Sequence, residues 1–83
     1  DIIEMPKPSK EEILRLTKMT LSSIEKAKEI NWNIIVDQMI GFSSALVVKI
    51  ANDAAKIAVI GNEKILLQSH LERSLVENVL YLK

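Results

Sequence analysis

The sequence contains no cysteine and only one histidine among its 83 residues. Without cysteine the chain has no disulfide, no thiolate nucleophile and no zinc site that combines cysteine with histidine. The absence of cysteine fits a reducing compartment, so we expect an intracellular, cytoplasmic protein. The segment Asp1–Glu4 has neither a basic region nor a long apolar run, and we therefore expect no secretory signal peptide. Because the sequence does not begin with methionine, we expect a processed product or an excised domain.

Glycine and aromatic residues are also scarce, with two Gly and one each of Trp, Phe and Tyr. Gly41 and Gly61 stand alone, so neither belongs to a glycine-rich loop of the kind that cradles phosphate groups. Lysine plus arginine equal aspartate plus glutamate at 11 each, and the formal net charge is zero. Nucleic-acid binding needs clustered cations, and single-strand binding also needs stacked aromatic rings. The composition therefore disfavours a nucleic-acid partner.

Long uncharged stretches are missing as well, since the longest, from Gln38 to Val48, has only eleven residues. A membrane-spanning helix needs about 20 predominantly apolar residues. A charged residue at the centre of such a helix costs roughly 2.5–3.5 kcal/mol on insertion scales. The wider apolar stretch 34–60 contains four charged residues, which are Asp37, Lys49, Asp53 and Lys56. The sequence therefore disfavours a membrane location.

Apolar residues are plentiful, at 48% of the chain, which favours a folded protein over a disordered one. We expect one domain over residues 1–83, in which residues 1–8 form an extended lead-in because two prolines disfavour helix there. Ser9 and Glu12 have the spacing of a capping box, in which each side chain binds the backbone N–H of the other residue. This pair predicts that the first helix begins at about residue 10.

Helical periodicity predicts three long helices, over about residues 10–30, 34–60 and 63–83. The stretches between them contain asparagine and glycine, which cap helices or end them. Since these breaks are short, neighbouring helices should run antiparallel. The predicted fold class is all-α, with three long antiparallel helices in an up-down-up bundle that oligomerisation could complete.

Two alternatives to this fold are strands in place of the middle helix and a histone-like arrangement of helices. The β-branched run Ile34-Ile35-Val36 is typical of strands, but no turn signal other than Gly41 divides the stretch 34–60, so a helix is favoured. A histone-like arrangement also places a long helix between two others. Its outer helices are much shorter than the ones predicted here, and its surface is basic, so the bundle is favoured.

Candidate catalytic groups are few, and the sequence does not bring them together. His70 has no partner in a Glu-x-x-His or His-x-x-x-His pattern. Asp37 and Asp53 would lie about 24 Å apart along one helix, too far for an acid–base pair. Lys49, Asp53 and Lys56 have the spacing of two intrahelical ion pairs. We therefore predict no enzymatic activity, no cofactor and no metal site.

An excess of apolar surface is the main functional signal. The predicted middle helix is apolar around about half of its circumference, which indicates burial on more than one side. An apolar surface left over after core formation marks an interface. We predict a non-enzymatic helical interaction module or structural subunit whose partner is a second copy of itself or another protein. The predicted interface residues are Trp32, Phe42, Leu46, Leu66, Leu67, Leu80 and Tyr81.

Three other interpretations stay open at this point. The chain could be a nucleic-acid-associated helical domain, or it could bind a small apolar ligand between helices lined by Met39, Phe42 and Leu46. A self-sufficient monomer would result if the N-terminal residues Ile2, Ile3 and Met5 covered the apolar surface. The abundance of Ile, Leu, Lys and Glu is also typical of a thermophile.

Overall fold

The computed structural model describes residues 7–62 and 64–80. Its elements follow in the order α1 (Lys10–Thr20), β1 (Glu25–Lys26), α2 (Trp32–Gln38), α3 (Ser44–Ile60), β2 (Ile65–Leu66) and α4 (Gln68–Leu80). This part of the chain is mostly helical, as the sequence predicts. The predicted bundle of three long helices is not found, because each predicted helix is shortened or divided.

The first helix, α1, begins where the capping box predicts. The Oγ of Ser9 accepts a hydrogen bond from the Glu12 N–H at 3.3 Å, and Glu12 Oε1 accepts one from the Ser9 N–H at 3.4 Å. The helix ends at Thr20 rather than at residue 30. Thr17 and Thr20 each donate a hydroxyl hydrogen bond of 2.8 Å to the carbonyl four residues earlier, and two serines follow. Such side chains compete with helical backbone hydrogen bonds, which accounts for the early end.

A short parallel pair of strands replaces helix at two predicted positions. β1 pairs with β2, and the N–H of Ala27 donates to the Leu66 carbonyl oxygen at 2.9 Å. Leu66 is fully buried, so this pairing also fixes an apolar side chain in the core. α4 consequently begins at Gln68 rather than at residue 63. The predicted helical residues 81–83 lie outside the described residues.

The predicted continuous helix over residues 34–60 is wrong, because a turn divides it into α2 and α3. α2 ends at Gln38, and Gly41 has a φ of +94°, a left-handed conformation that favours glycine. Ser43 then caps α3, with its Oγ accepting from the Leu46 N–H at 3.2 Å. A left-handed glycine followed by a serine cap ends one helix and starts another. Both signals are present in the sequence, at Gly41 and Ser43.

The core forms around α3, which packs against both α1 and α4. Three alanines of α3, at positions 51, 54 and 58, are fully buried and allow neighbouring elements to approach closely. The other core residues come from every described helix, from β2 and from the connecting segments, and they are Ile13, Leu21, Ile30, Ile35, Val36, Met39, Val47, Ile50, Leu66, Leu71 and Leu75. Within residues 7–62 and 64–80, no helix has the length and apolar character needed to cross a bilayer.

Candidate interaction surface

Among the described residues, large apolar side chains remain exposed on every helix and also between the helices. They are Met19, Ile34, Ile40, Val59, Ile60, Ile65, Leu67, Val76, Val79 and Leu80. Single exposed apolar residues are normal on protein surfaces, whereas contiguous ones mark binding sites. Two groups among these residues are contiguous, one between α2 and α4 and one on α3.

The first group lines a groove between α2 and α4, which we call the α2–α4 groove. Gln38 of α2 lines it together with four residues of α4, which are Leu75, Val76, Val79 and Leu80. Its volume is about 220 Å³. Val76 is 59% exposed and Leu80 is 64% exposed. Among the described residues, only Gln38 brings a polar side chain to the groove, which makes it an apolar surface open to solvent.

The groove exists because α4 has apolar residues on two of its sides. Leu71 and Leu75, four residues apart, are buried in the core. Val76 and Leu80 have the same spacing but are displaced by about 100° around the helix, toward solvent. A surface helix with one buried side normally has polar residues on the other side. The pattern of α4 therefore indicates a second side suited to burial.

Polar contacts hold α2 beside its neighbours and so fix one wall of the groove. Asn31 caps α2, since its Oδ1 accepts from the Ile34 N–H at 3.3 Å. The N–H of Asn31 donates to Gln68 Oε1 at 2.8 Å, which links the start of α2 to the start of α4. Lys10 Nζ and Asp37 Oδ1 form an ion pair of 2.8 Å between α1 and α2. Both ends of this short helix are thus attached to the rest of the fold.

Polar side chains next to the groove residues already have partners within the chain. Gln68 Nε2 donates to Glu72 Oε2 at 3.0 Å, and Arg73 Nε forms an ion pair with Glu77 Oε2 at 3.1 Å. Gln38 Nε2 donates to a backbone carbonyl of α2 at 3.3 Å. An apolar centre beside polar side chains is the usual anatomy of a protein–protein interface.

The second contiguous group belongs to α3 alone, and we call it the α3 outer surface. It consists of Asn52, Ala55, Lys56, Val59 and Ile60. Val59 is 67% exposed and Ile60 is 84% exposed. No second helix contributes a described residue to this surface, so it is less well defined than the α2–α4 groove.

The inner side of α4 carries a polar network that connects it to α3. Ser74 Oγ donates to the Ile50 carbonyl oxygen at 2.6 Å. Asn78 Nδ2 donates to Asp53 Oδ2 at 3.2 Å, and Asn78 Oδ1 accepts from Lys49 Nζ at 2.9 Å. Lys49 Nζ also forms the predicted ion pair with Asp53 Oδ2, at 2.8 Å. Every buried polar side-chain atom of the described residues has a hydrogen-bond partner, as a stable interior requires.

The partners in this network also affect the ionisation of Asp53. The hydrogen bond from Lys49 lowers the pKa of the Asp53 carboxyl below its ordinary value, against the opposing effect of burial. The Asn78 amide and the positive charges of Lys49 and Lys56 lower this pKa further. These partners favour the ionised form of the Asp53 carboxyl. The network therefore stabilises the contact between α3 and α4.

The other polar candidates from the sequence are dispersed in the structure. His70 Nδ1 accepts from the Leu67 N–H at 2.9 Å, so the histidine helps to begin α4. Lys56 makes no ion pair within 4 Å among the described residues, and it acts on Asp53 only through its charge. Within the described ranges, no three His, Asp or Glu side chains come together in a way that could hold a metal ion.

The predicted interface residues do not form one surface. Trp32, Phe42 and Leu46 are half-buried and pack against the core, and Leu66 is fully buried within it. The Lys18 ammonium lies over the Trp32 ring, 5.4 Å from its centroid. Two predicted residues are exposed, Leu67 and Leu80, and of these Leu80 lines the α2–α4 groove. Tyr81 lies outside the described residues.

Leu80 is among the interface residues predicted from the sequence, whereas Gln38, Val76 and Val79, which also line the groove, are not. The i, i+4 spacing of Val76 and Leu80 is a usable signal, since it marks a second apolar side on α4. No such signal exists for Gln38, because its place in the groove depends on the turn after α2. Neither a protein-family model nor a curated protein matches this sequence.

Proposed function

We propose that this chain is a non-enzymatic helical interaction domain that binds a second copy of itself through the α2–α4 groove. The observation that carries this proposal is the exposure of Val76 and Leu80 beside Val79, on a helix whose opposite side is already buried. Burial of apolar surface is worth about 25 cal/mol per Å². Association would remove this surface from water and complete the burial of α4.

The small size of the chain supports self-association. A chain of this length buries only roughly 60–65% of the surface exposed in its unfolded state, so its stability margin is narrow. Binding that favours the folded state adds to stability by mass action. A standard interface buries about 800 Å² on each partner. An interface of that size would extend from the groove over neighbouring residues of α2 and α4.

The distribution of charged groups supports an interaction role over catalysis or nucleic-acid binding. Cationic and acidic side chains are equal in number, at 11 each, and among the described residues three of the cations are paired with carboxylates, at Lys10–Asp37, Lys49–Asp53 and Arg73–Glu77. Phosphate binding needs clustered cationic side chains, which displace the counterions condensed on the nucleic acid. General acid–base catalysis needs a titratable group placed beside a substrate site, and the α2–α4 groove is lined by Gln38 and aliphatic residues.

Binding of a small apolar ligand is less well supported than self-association. The residues predicted to line such a site are occupied by core packing, since Met39 is fully buried and Phe42 and Leu46 pack against the core. The α2–α4 groove, at about 220 Å³, is smaller than the roughly 300–1,000 Å³ of typical small-molecule pockets. An open groove of this size suits the side chains of a protein partner.

The test is the absolute mass of the 83-residue chain in solution, by light scattering on a sizing column over a concentration series. We expect a mass that rises to that of a dimer, and Val76→Glu should keep the chain at its monomer mass of 9.3 kDa. A charge placed in the groove cannot be buried without a large desolvation cost. Val59→Glu is the matched control, because it makes the same change on the exposed α3 outer surface and should leave the dimer intact.

The possible outcomes separate the parts of this proposal. A wild-type chain that stays monomeric at every concentration would overturn self-association. A dimer that Val59→Glu dissociates and Val76→Glu does not would move the interface from the α2–α4 groove to the α3 outer surface. Circular dichroism of both variants checks that each retains its helices.

A further inference from the structure

We draw no further inference here: the strongest candidate, the apolar α3 outer surface around Val59 and Ile60, is an unpartnered face, and nothing in the structure shows what covers it.

Discussion

The two sides of α4 both depart from the usual pattern of a surface helix, which has apolar residues inside and polar residues outside. Its inner side includes two buried polar residues, Ser74 and Asn78, whereas its outer side presents Val76 and Leu80 to solvent. The buried polar groups are satisfied by specific partners on α3. Hydrogen bonds have defined directions and apolar contacts do not, so the inner side is suited to fixing the orientation of α4.

The inner side of α4 therefore contributes to folding, and the outer side is available for contacts with another molecule. Polar contacts inside set the position of α4 on α3, while Leu71 and Leu75 supply the apolar contribution to folding. The outer side adds little to the stability of the single chain, because Val76 and Leu80 are mostly exposed. Substitutions on the inner side should therefore change the free energy of unfolding, whereas substitutions on the outer side should change self-association.

The largest loss in the free energy of unfolding is expected when a buried side chain on the inner side of α4 is truncated. Leu71→Ala removes a fully buried side chain, and such a change typically lowers the free energy of unfolding by about 2–5 kcal/mol. Val76→Ala, on the outer side, should change it by about 0.5 kcal/mol or less in the monomer. Urea unfolding at a protein concentration where the chain is monomeric compares the two. Equal losses would show that the outer side is also part of the folding core.

A smaller loss of stability is expected when the polar network between α3 and α4 loses the side-chain amide of Asn78. Asn78→Ala leaves Asp53 and Lys49 without a shared partner, and loss of partly buried hydrogen bonds of this kind costs about 1–3 kcal/mol. Glu77→Ala, on the same helix, removes only an exposed ion pair and should cost less than about 1 kcal/mol. Thermal unfolding of both variants measures the difference. A cost for Asn78→Ala no greater than that of Glu77→Ala would contradict the positioning role.

The smallest expected effect is the contribution of the Asp53 carboxyl to the pH dependence of stability. The pKa of this group is lowered in the folded chain, so its contribution to stability is complete above its unfolded pKa, near 3.8, and is lost as the pH falls through the lower folded pKa. Asp53→Asn should remove this part of the acid dependence. Urea unfolding from about pH 6 down to about pH 2 tests it. If the free energy of unfolding changed with pH equally in the wild type and in Asp53→Asn, the lowered pKa of Asp53 would be contradicted.

The sequence predicted best those features that depend on a few neighbouring residues. The start of α1 follows from Ser9 and Glu12 alone, and the ion pair of Lys49 with Asp53 follows from their spacing. The general helical character follows from apolar periodicity summed over many residues. Each of these features is local, so no knowledge of tertiary contacts is needed to predict it.

The features that the sequence did not predict depend on contacts between distant segments. β1 and β2 have two residues each, and neither would be a strand without the other. Leu66 looks like an exposed interface residue until this pairing places it in the core. Asn78 joins Lys49 and Asp53 only because α4 lies across α3. The turn at Gly41 is the exception, since its glycine and serine signals were present in the sequence.

The pairing of β1 with β2 also has a consequence for the order of events in folding. It joins two segments separated by about 40 residues, and the chain between them includes all of α2 and α3, so its closure carries a substantial entropy cost. Local helices form faster than such long-range contacts, and we expect this pairing to form late. The Ala27 amide proton, which is bonded to Leu66, should then exchange with deuterium only when this loop opens. The exchange of this one amide proton would thereby report the separation of β1 from β2.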